Sequence, residues 1–312
     1  MRSNQFVLGI DVGATNIKFG LVDSSGKITA TSHLVTRDFL SHKTKLINAL
    51  LDECAILFKK NRFNINNLLG VGVGLPGLVD VTRGIVRFLP NIPGWKDVPL
   101  KKIMEEKLRI PIFLDNDVNL ITLGEWKFGA GRGIPNMVCV ALGTGVGSGL
   151  ILDNKLYRGE GFTAGELGHV PLNEKGPKCN CGGWACLEQY VGNKPLQKKA
   201  AGLFKDNRIQ LEEVDRLAEQ GNPKALKFWH QIAEQIGCGL VSVVNLLNPR
   251  RIIIGGGVSN AYRHIFPVIR ETIRKRAMSV PARMVEVVRA QLGNKAGLLG
   301  AYALVNDAAC ER

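Results

Sequence analysis

The chain has 312 residues, of which 45% are hydrophobic and 22% are charged, and its formal net charge is +14. This composition excludes a disordered chain or a disulfide scaffold, and the length favours two lobes around a cleft. Basic and acidic residues are interleaved, so the positive charge favours anionic substrates rather than nucleic acid. The first residues lack the apolar region of a signal peptide, and the charge-free stretch Met137–Leu152 is too short and too rich in glycine to cross a membrane. We therefore expect a cytoplasmic protein with no membrane partner.

The first predicted feature is a β-meander over Gln5–Ala30, where apolar β-forming residues are separated by turn residues. Its first turn carries Asp11, Gly13 and Thr15. Glycine at such a turn lets backbone N–H groups approach phosphate oxygens, and an aspartate at the end of a strand suits Mg²⁺ held through water. A plain β-turn is the alternative interpretation of so short a pattern.

Helices and strands alternate after the meander, which is typical of an α/β protein. The predicted elements are a helix over 41–60, a strand over 69–75 that ends at Pro76-Gly77, a helix after Pro99, a strand over 111–114 and a helix over 116–128.

Three polar residues, Asp115, Asn116 and Asp117, stand between the last predicted strand and helix of this region. A carboxylate at the end of a strand facing a cleft can accept the proton of a sugar hydroxyl that attacks a phosphate, and Asn116 can bind neighbouring hydroxyls. We interpret Asp117 as a catalytic base. The alternative is that these residues only cap the helix, for which one of them would suffice.

A second meander begins at Met137 and repeats the order of the first, which indicates an internal duplication. Its glycine loop, Gly143–Gly149, is neither a Walker loop nor a dinucleotide fingerprint, because no Lys-Ser/Thr follows and the next segment is a strand. A long helix over 223–247 and a strand over 250–255 precede a third glycine loop, Gly255–Ser259, where a nucleotide can lie at a helix N-terminus. A final helix is predicted over 295–306.

The segment from Gly165 to Tyr190 contains the most specific pattern of the chain. Its metal-binding residues are His169, Cys179, Cys181 and Cys186. One imidazole and three thiolates close a tetrahedral site without a position for water, so we predict a structural Zn²⁺. Folding around zinc would also fix two carboxylates, Glu166 and Glu188, for which an ordinary surface location is the alternative. The other cysteines, Cys54, Cys139, Cys238 and Cys310, are expected to be plain thiols.

Taken together, the motifs resemble those of the ROK family of bacterial sugar kinases and repressors over essentially the whole chain. The matching segments are GIDVGATNIKFGLVD, GVGLPGLVD, LDNDVNLITLGE, ALGTGVGSGLI, GELGHVPL, CNCGGWACLEQYV and IIIGGGVS. The resemblance implies an α/β, actin-like fold, related to hexokinase and ribonuclease H, with two lobes and an inter-lobe cleft. The expected lobes are residues 1–116, rejoined by a C-terminal helix over about 298–312, and residues 117–297 with a zinc loop over 169–186.

The resemblance also implies roles for individual residues. It implies ATP binding, with Mg²⁺, by Gly9, Asp11, Gly13, Ala14, Thr15, Asn16, Gly143, Thr144, Gly145, Gly147, Gly255, Gly256 and Gly257. It implies sugar binding by Gly77, Asn116, Asp117, Glu166, His169 and Glu188. Asp117 would be the general base, and a homodimer is expected. Two residues depart from the family pattern: Asn16 replaces a common lysine, and Ala185 replaces a glycine, so we expect the backbone at Ala185 to avoid a positive φ.

The function that these features imply is an ATP-dependent hexose kinase. The segment PNIPGWKDVPL is similar to that of members acting on glucose, which favours a glucokinase. Kinases for N-acetylmannosamine, N-acetylglucosamine, fructose or allose are alternatives within the family. More remote alternatives are a repressor, an actin-like filament and a catalytically inactive sugar sensor. We expect no DNA-reading domain, because the first glycine loop begins at Asp11.

Overall fold

The structure is a computed structural model that describes residues 5–39, 42–89 and 94–310. The predicted start of the first helix, the PNIP half of the glucose-associated segment and residues 311–312 lie outside the described residues. The chain forms two compact units: the first comprises the described parts of 1–133, 156–164 and 294–312, and the second comprises 134–155 and 165–293. Within the described part of the chain, every helix falls short of the length or apolar character that a membrane span requires.

Thirteen strands and ten α-helices lie in the described residues. The strands are β1 (Phe6–Val12), β2 (Asn16–Asp23), β3 (Ile28–Val35), β4 (Leu68–Leu75), β5 (Leu78–Asp80), β6 (Ile85–Phe88), β7 (Lys96–Val98), β8 (Ile112–Asn116), β9 (Met137–Leu142), β10 (Val146–Leu152), β11 (Lys155–Tyr157), β12 (Arg251–Gly255) and β13 (Glu286–Arg289). The helices are α1 (Lys43–Lys60), α2 (Leu100–Leu108), α3 (Asp117–Phe128), α4 (Glu188–Val191), α5 (Asn193–Phe204), α6 (Leu211–Glu219), α7 (Pro223–Leu247), α8 (Tyr262–Arg276), α9 (Ser279–Met284) and α10 (Ala296–Cys310). The predicted elements are present and differ from these only at their ends; α10, for example, continues past Asn306 to Cys310.

The first unit is built on a five-stranded sheet with the order β3-β2-β1-β4-β8. The strand β1 is antiparallel to β2 and parallel to β4, and β4 is parallel to β8. The central strands are buried on both faces, as their continuous apolar sequences require. Because parallel strands end at the same edge of a sheet, the residues that follow β4 and β8 share one edge.

The helices α3 and α10 pack through backbone rather than side chains. A Cβ atom at Gly300 would overlap the carbonyl oxygen of Leu120 in α3, and one at Gly124 would overlap the carbonyl oxygen of Ala296 in α10. This packing explains why the first unit continues to Gly133, whereas the sequence analysis placed the boundary between Asn116 and Asp117. The two-lobed arrangement around a cleft stays a prediction.

A small sheet with the order β5-β6-β7 was missed by the sequence analysis. Its strands are only three or four residues long, which is too short for a periodic hydrophobic pattern. Arg87 at its centre donates to Asp80 and to Asp97, at 2.8 Å each. These ion pairs join all three strands, and Val79, Val86 and Val98 of the sheet are buried in the apolar core of the first unit.

The second unit repeats the strand arrangement of the first. In the order β10-β9-β12-β13, β9 is antiparallel to β10 and parallel to β12, and β12 is parallel to β13. The duplication predicted from the two meanders is therefore confirmed at the level of topology. The long helix α7 begins at a cap in which the Asn222 side chain accepts hydrogen bonds from the amides of Lys224 and Ala225, with Pro223 at its first position.

We predict that Gly300→Ala destabilises the protein by about 3 kcal/mol, because its methyl group would collide with the backbone of α3 and force the two helices apart. The matched control is Gly202→Ala in α5, where the added methyl meets no atom within 4 Å. This control should be neutral or more stable by up to about 1 kcal/mol, since alanine is the better helix former. Urea unfolding midpoints measure both changes, and equal midpoints would contradict the backbone contact.

Candidate functional site

The first glycine loop joins β1 to β2, and hydrogen bonds at Gly13 fix its conformation. The amide of Gly13 donates to the carbonyl of Asn16 at 3.0 Å, and the Thr36 hydroxyl donates to the carbonyl of Gly13 at 2.8 Å. Ala14 and Thr15 are exposed at the tip of the loop, so their amides are accessible to a phosphate. Gly9 lies farther back in β1, where a Cβ would stand 2.9 Å from the carbonyl oxygen of Leu298 in α10.

Asp11 is the second-to-last residue of β1, and its side chain is 13% exposed. Burial raises the pKa of its carboxyl group, and the Lys18 ammonium, 4.0 Å away, acts in the opposite direction. The start of α10 lies against the carboxylate, since a Cβ at Gly297 would be 2.6 Å from its Oδ2. A divalent cation would favour the ionised form, and carboxylate oxygen is the ligand type that Mg²⁺ prefers, so Asp11 fits the predicted role.

Asp115 is a structural residue. Its side chain is 1% exposed, and Oδ2 accepts hydrogen bonds from Nε and Nη2 of Arg158 at 2.8 and 2.7 Å. Its Oδ1 accepts from the Asn119 side chain and the Asn116 amide, both at 2.8 Å. Arg158 was not identified from the sequence; the only available signal was that a buried aspartate needs a cationic partner.

The side chain of Asn116 makes hydrogen bonds through both its oxygen and its nitrogen. Its Oδ1 caps α3 by accepting from the amides of Val118 and Asn119, at 2.9 and 3.3 Å. Its Nδ2 donates to the carbonyl of Gly77 at 3.2 Å. Gly77 has a φ of 143° and no room for a Cβ beside Phe88, so the end of β4 is fixed to the end of β8.

Asp117 follows this cap as the first residue of α3. It is half-buried, and its Oδ1 accepts from the amide of Val118 at 2.9 Å. The Asp117 carboxylate is thus oriented by the start of the helix, and the residue is partly exposed to solvent. Helix N-termini stabilise such a charge.

The two glycine loops of the second unit are in contact. A Cβ at Gly256, whose φ is 86°, would overlap the backbone of Leu142, the residue before the loop 143–147. Added Cβ atoms at Gly143 and Gly257 would meet nothing within 4 Å. The two loops therefore lie against each other, with open space beside Gly143 and Gly257. They contain the residues predicted to bind nucleotide in this unit, which are Gly143, Thr144, Gly145, Gly147, Gly255, Gly256 and Gly257.

The four predicted zinc ligands come together. Their ligand atoms all lie within 4.8 Å of one another, with 3.7 Å between His169 Nδ1 and Cys179 Sγ and 3.7 Å between the Sγ atoms of Cys181 and Cys186. Zinc–sulfur bonds of about 2.3 Å in a tetrahedron place sulfur atoms about 3.8 Å apart, so the residues fit a zinc ion. Burial raises the pKa of the Cys186 thiol, whereas the Gly183 amide lowers that of Cys181. A cation would hold both as thiolates.

The loop carrying the cysteines corrects one prediction. Ala185 has a φ of 53°, in the left-handed region that it was expected to avoid. Two hydrogen bonds hold it there: its amide donates to Pro177 O and its carbonyl accepts from the Leu172 amide, each at 2.9 Å. The strain of about 1 kcal/mol that a side chain meets in this region is offset by these bonds and by complete burial of the methyl group.

The predicted sugar-binding residues of the second unit lie beside the zinc ligands. His169 turns Nδ1 toward the cysteines, and its Nε2 is 3.8 Å from Oε2 of Glu166. This arrangement leaves Nε2 available for a second contact, as a dual role in metal and sugar binding requires. Glu188 lies at the start of α4, and its Oε2 accepts from the amide of Val146 at 2.9 Å.

The sequence and the structure of this chain are similar to those of known proteins over nearly its whole length. The model of the ROK family matches residues 7–308. A glucokinase of Streptomyces coelicolor is 33% identical, over 96% of this chain and 97% of its own, and a xylose repressor of Caldicellulosiruptor bescii is 30% identical, over 96% of this chain and 77% of its own. Among solved structures, a ROK family glucokinase from Streptomyces griseus in complex with glucose and AMPPNP superposes with a TM-score of 0.82 at 33% identity, covering 97% of this chain and 99% of that one. The predicted α/β, actin-like fold class is confirmed.

We predict that Arg158→Leu lowers the free energy of unfolding by about 3 kcal/mol, because it leaves the Asp115 carboxylate buried without its cation. Arg216→Leu is the matched control. That arginine also makes two hydrogen bonds to one carboxylate, Glu213, but both side chains are well exposed, so the loss should stay below about 1 kcal/mol. Similar losses in urea unfolding would show that burial of Asp115 carries no extra cost.

We predict that purified protein contains one zinc per chain and that Cys186→Ser abolishes it, because three remaining ligands cannot close the tetrahedral site. Cys310→Ser, which removes an exposed thiol near the C-terminus, should retain the metal. Elemental analysis after dialysis measures the zinc content. Full zinc content in Cys186→Ser would mean that this ligand set is wrong.

Proposed function

This chain belongs to the ROK family, and we propose that it is an ATP-dependent hexose kinase whose acceptor is glucose. The observation that carries the proposal is the position of Asp117, a half-buried carboxylate at the first residue of α3, directly after an asparagine whose side chain is fixed at both ends. A carboxylate that is rigidly held and still accessible suits a general base. Similarity to glucokinases over nearly the whole chain supports the same activity.

In the proposed reaction, Asp117 accepts the proton of a sugar hydroxyl as that oxygen bonds to the γ-phosphorus, while the bond from phosphorus to the bridging oxygen of ADP breaks. The exposed amides at Ala14 and Thr15 and the glycine cluster of the second unit are proposed to bind the phosphates. When bound, Mg²⁺ neutralises charge on the phosphates, and Asp11 is the residue proposed to hold it through water.

The proposed hydroxyl ligands are Gly77, Asn116, Glu166, His169 and Glu188. Carboxylates accept hydrogen bonds from sugar hydroxyls, and an amide or imidazole N–H donates to them. The hydrogen bonds that hold the side chains of Asn116 and Glu188 support their assignment, because a ligand fixed in advance loses little entropy on binding. In this proposal, zinc acts only through structure, by fixing His169 and the segment that carries Glu188.

Glucose as the acceptor is supported by the names of the similar kinases and by the bound sugar of the Streptomyces griseus structure. The alternatives are N-acetylmannosamine, N-acetylglucosamine, fructose and allose. The glucose-associated segment adds little structural support, because its first four residues lie outside the described part of the chain; of the rest, Trp95 is buried.

A second candidate function is that of a sugar-responsive regulator without turnover. The 30% identity to a xylose repressor favours it, and this chain corresponds to 77% of that repressor. Both candidates bind sugar, so sugar binding alone cannot separate them. Phosphorylation of the sugar can, because a regulator has no use for a general base.

We predict that Asp117→Asn lowers kcat by about 10²–10⁴-fold and leaves sugar affinity within a few-fold, because the amide cannot accept the hydroxyl proton. The measurement is ADP release from Mg·ATP with glucose, and sugar affinity is followed by calorimetry. The matched control is Asp52→Asn on the exposed face of α1, which should retain the wild-type rate. A near-native rate for Asp117→Asn would remove this residue from the role of base.

The same assay identifies the acceptor when mannose, fructose, allose and the two N-acetyl sugars are compared with glucose at subsaturating concentration. We expect the highest kcat/KM for glucose. A higher value for another sugar would change the proposed acceptor within the family. Sugar binding without ADP release across the panel would support the regulator instead.

A further inference from the structure

The carboxylate of Glu188 lies against the backbone of the second glycine loop. Its Oε2 accepts from the amide of Val146 at 2.9 Å and occupies the space that a Cβ at Gly145 would need. A side chain at position 145 would therefore displace the carboxylate. Glycine at position 145 thus leaves room for the Glu188 carboxylate. This role differs from that of giving a phosphate access to the loop.

A second contact joins the same two segments. The amide of Asn193 donates to the carbonyl of Gly143 at 2.9 Å, and a Cβ at Gly192 would stand 3.6 Å from the carbonyl of Thr144. The loop is thus bound at both of its ends, by Glu188 at the start of α4 and by Asn193 at the start of α5.

The zinc ligands hold the other end of this segment. Cys186 lies two residues before Glu188, and between them the buried Leu187 donates from its amide to the carbonyl of Val170 at 2.9 Å. On the far side, Nε2 of Gln189 donates to Sγ of Cys179 at 3.5 Å. Glu188 therefore has a zinc-ligand contact on each side of it along the chain.

A carboxylate beside a loop that binds phosphate repels the phosphate. Its presence is therefore unfavourable for binding unless it also holds the loop in place. The bond to Glu188 uses the amide of Val146 and so decides which amides of this glycine-rich loop remain available for a ligand. Fixing a loop before binding raises affinity, because less entropy is lost on association.

We propose that Glu188 is a positioning residue for the nucleotide, in addition to its proposed contact with sugar, and that it makes the zinc segment and the glycine loop 143–147 one rigid element. The inference rests on the proposed function, since it takes this loop to bind nucleotide. It extends that function because it predicts that a sugar-binding residue and a structural metal control nucleotide affinity in the absence of sugar.

The first experiment measures the affinity for Mg·AMPPNP without sugar, by calorimetry. Glu188→Ala should weaken it about tenfold, because the Val146 amide loses a hydrogen bond to a charged acceptor. Glu188→Gln should stay within about twofold, because the amide oxygen can still accept. Glu174→Ala removes an exposed charge from the same segment and should have no effect. Tighter binding in both the Ala and the Gln variant would mean that charge repulsion dominates, and the proposal would be overturned.

The second experiment needs neither nucleotide nor catalysis. Hydrogen exchange at the Val146 amide, in zinc-loaded protein without ligands, should be at least about tenfold faster in Glu188→Ala than in wild type and unchanged in Glu188→Gln. Gly145→Ala tests the same contact from the opposite side, for the case in which Glu188→Ala does not fold, and should speed this exchange without loss of zinc. Unchanged exchange in the folded variants would overturn the proposal.

The two experiments also separate the inference from the proposed function. If wild-type protein bound no nucleotide, the kinase proposal would fail, whereas fast exchange in Glu188→Ala would still show that this residue holds the loop. If wild type bound nucleotide and Glu188→Ala bound it equally well with unchanged exchange, only the inference would fail.

Discussion

The first unit depends on the close approach of α10 to its neighbours. Glycines permit this approach at Gly9, Gly72, Gly124, Gly297 and Gly300. Because backbone lies against backbone, the helix has little freedom to shift. Both β1, which carries Asp11, and α3, which begins at Asp117, take their positions from it. Dense packing of this kind transmits a small displacement instead of absorbing it. The proposed base and the proposed magnesium residue are thus held by the same helix.

In the second unit, the rigidity of the segment that carries the proposed sugar-binding residues has a different source. The segment that carries Glu166, His169 and Glu188 has little regular structure, with only short helical turns and isolated bridges between its residues. Such a segment buries too little apolar surface to stay fixed by packing alone. A metal held by the four ligand atoms would supply the missing constraint, because it would join parts of the segment that share few other contacts. The proposed binding residues would then depend on the metal for their positions.

Features that depend on neighbouring residues could be predicted from the sequence, and features that depend on distant ones could not. The meanders, the long helices and the cluster of His169 with three cysteines follow from local patterns and specific spacing. The pairing of Asp115 with Arg158 joins residues far apart in sequence, and many arginines could have made it. The left-handed conformation of Ala185 is imposed by two hydrogen bonds from elsewhere in the loop, which override the local preference of alanine. For Asn116, the sequence suggested either a helix cap or a ligand. Only the fold shows that the side-chain oxygen caps the helix and that the side-chain nitrogen remains free to bind the carbonyl of Gly77.

The order of segments in the first unit bears on how the protein forms. The ribosome makes residues 5–133 before the second unit and α10 after it. Until α10 emerges, the glycine-lined surfaces of β1, β4 and α3 have nothing to cover them. The second unit needs no later segment and can complete its fold while synthesis continues, whereas the first must wait for α10. A nascent first unit is therefore exposed to aggregation while the second unit is being made.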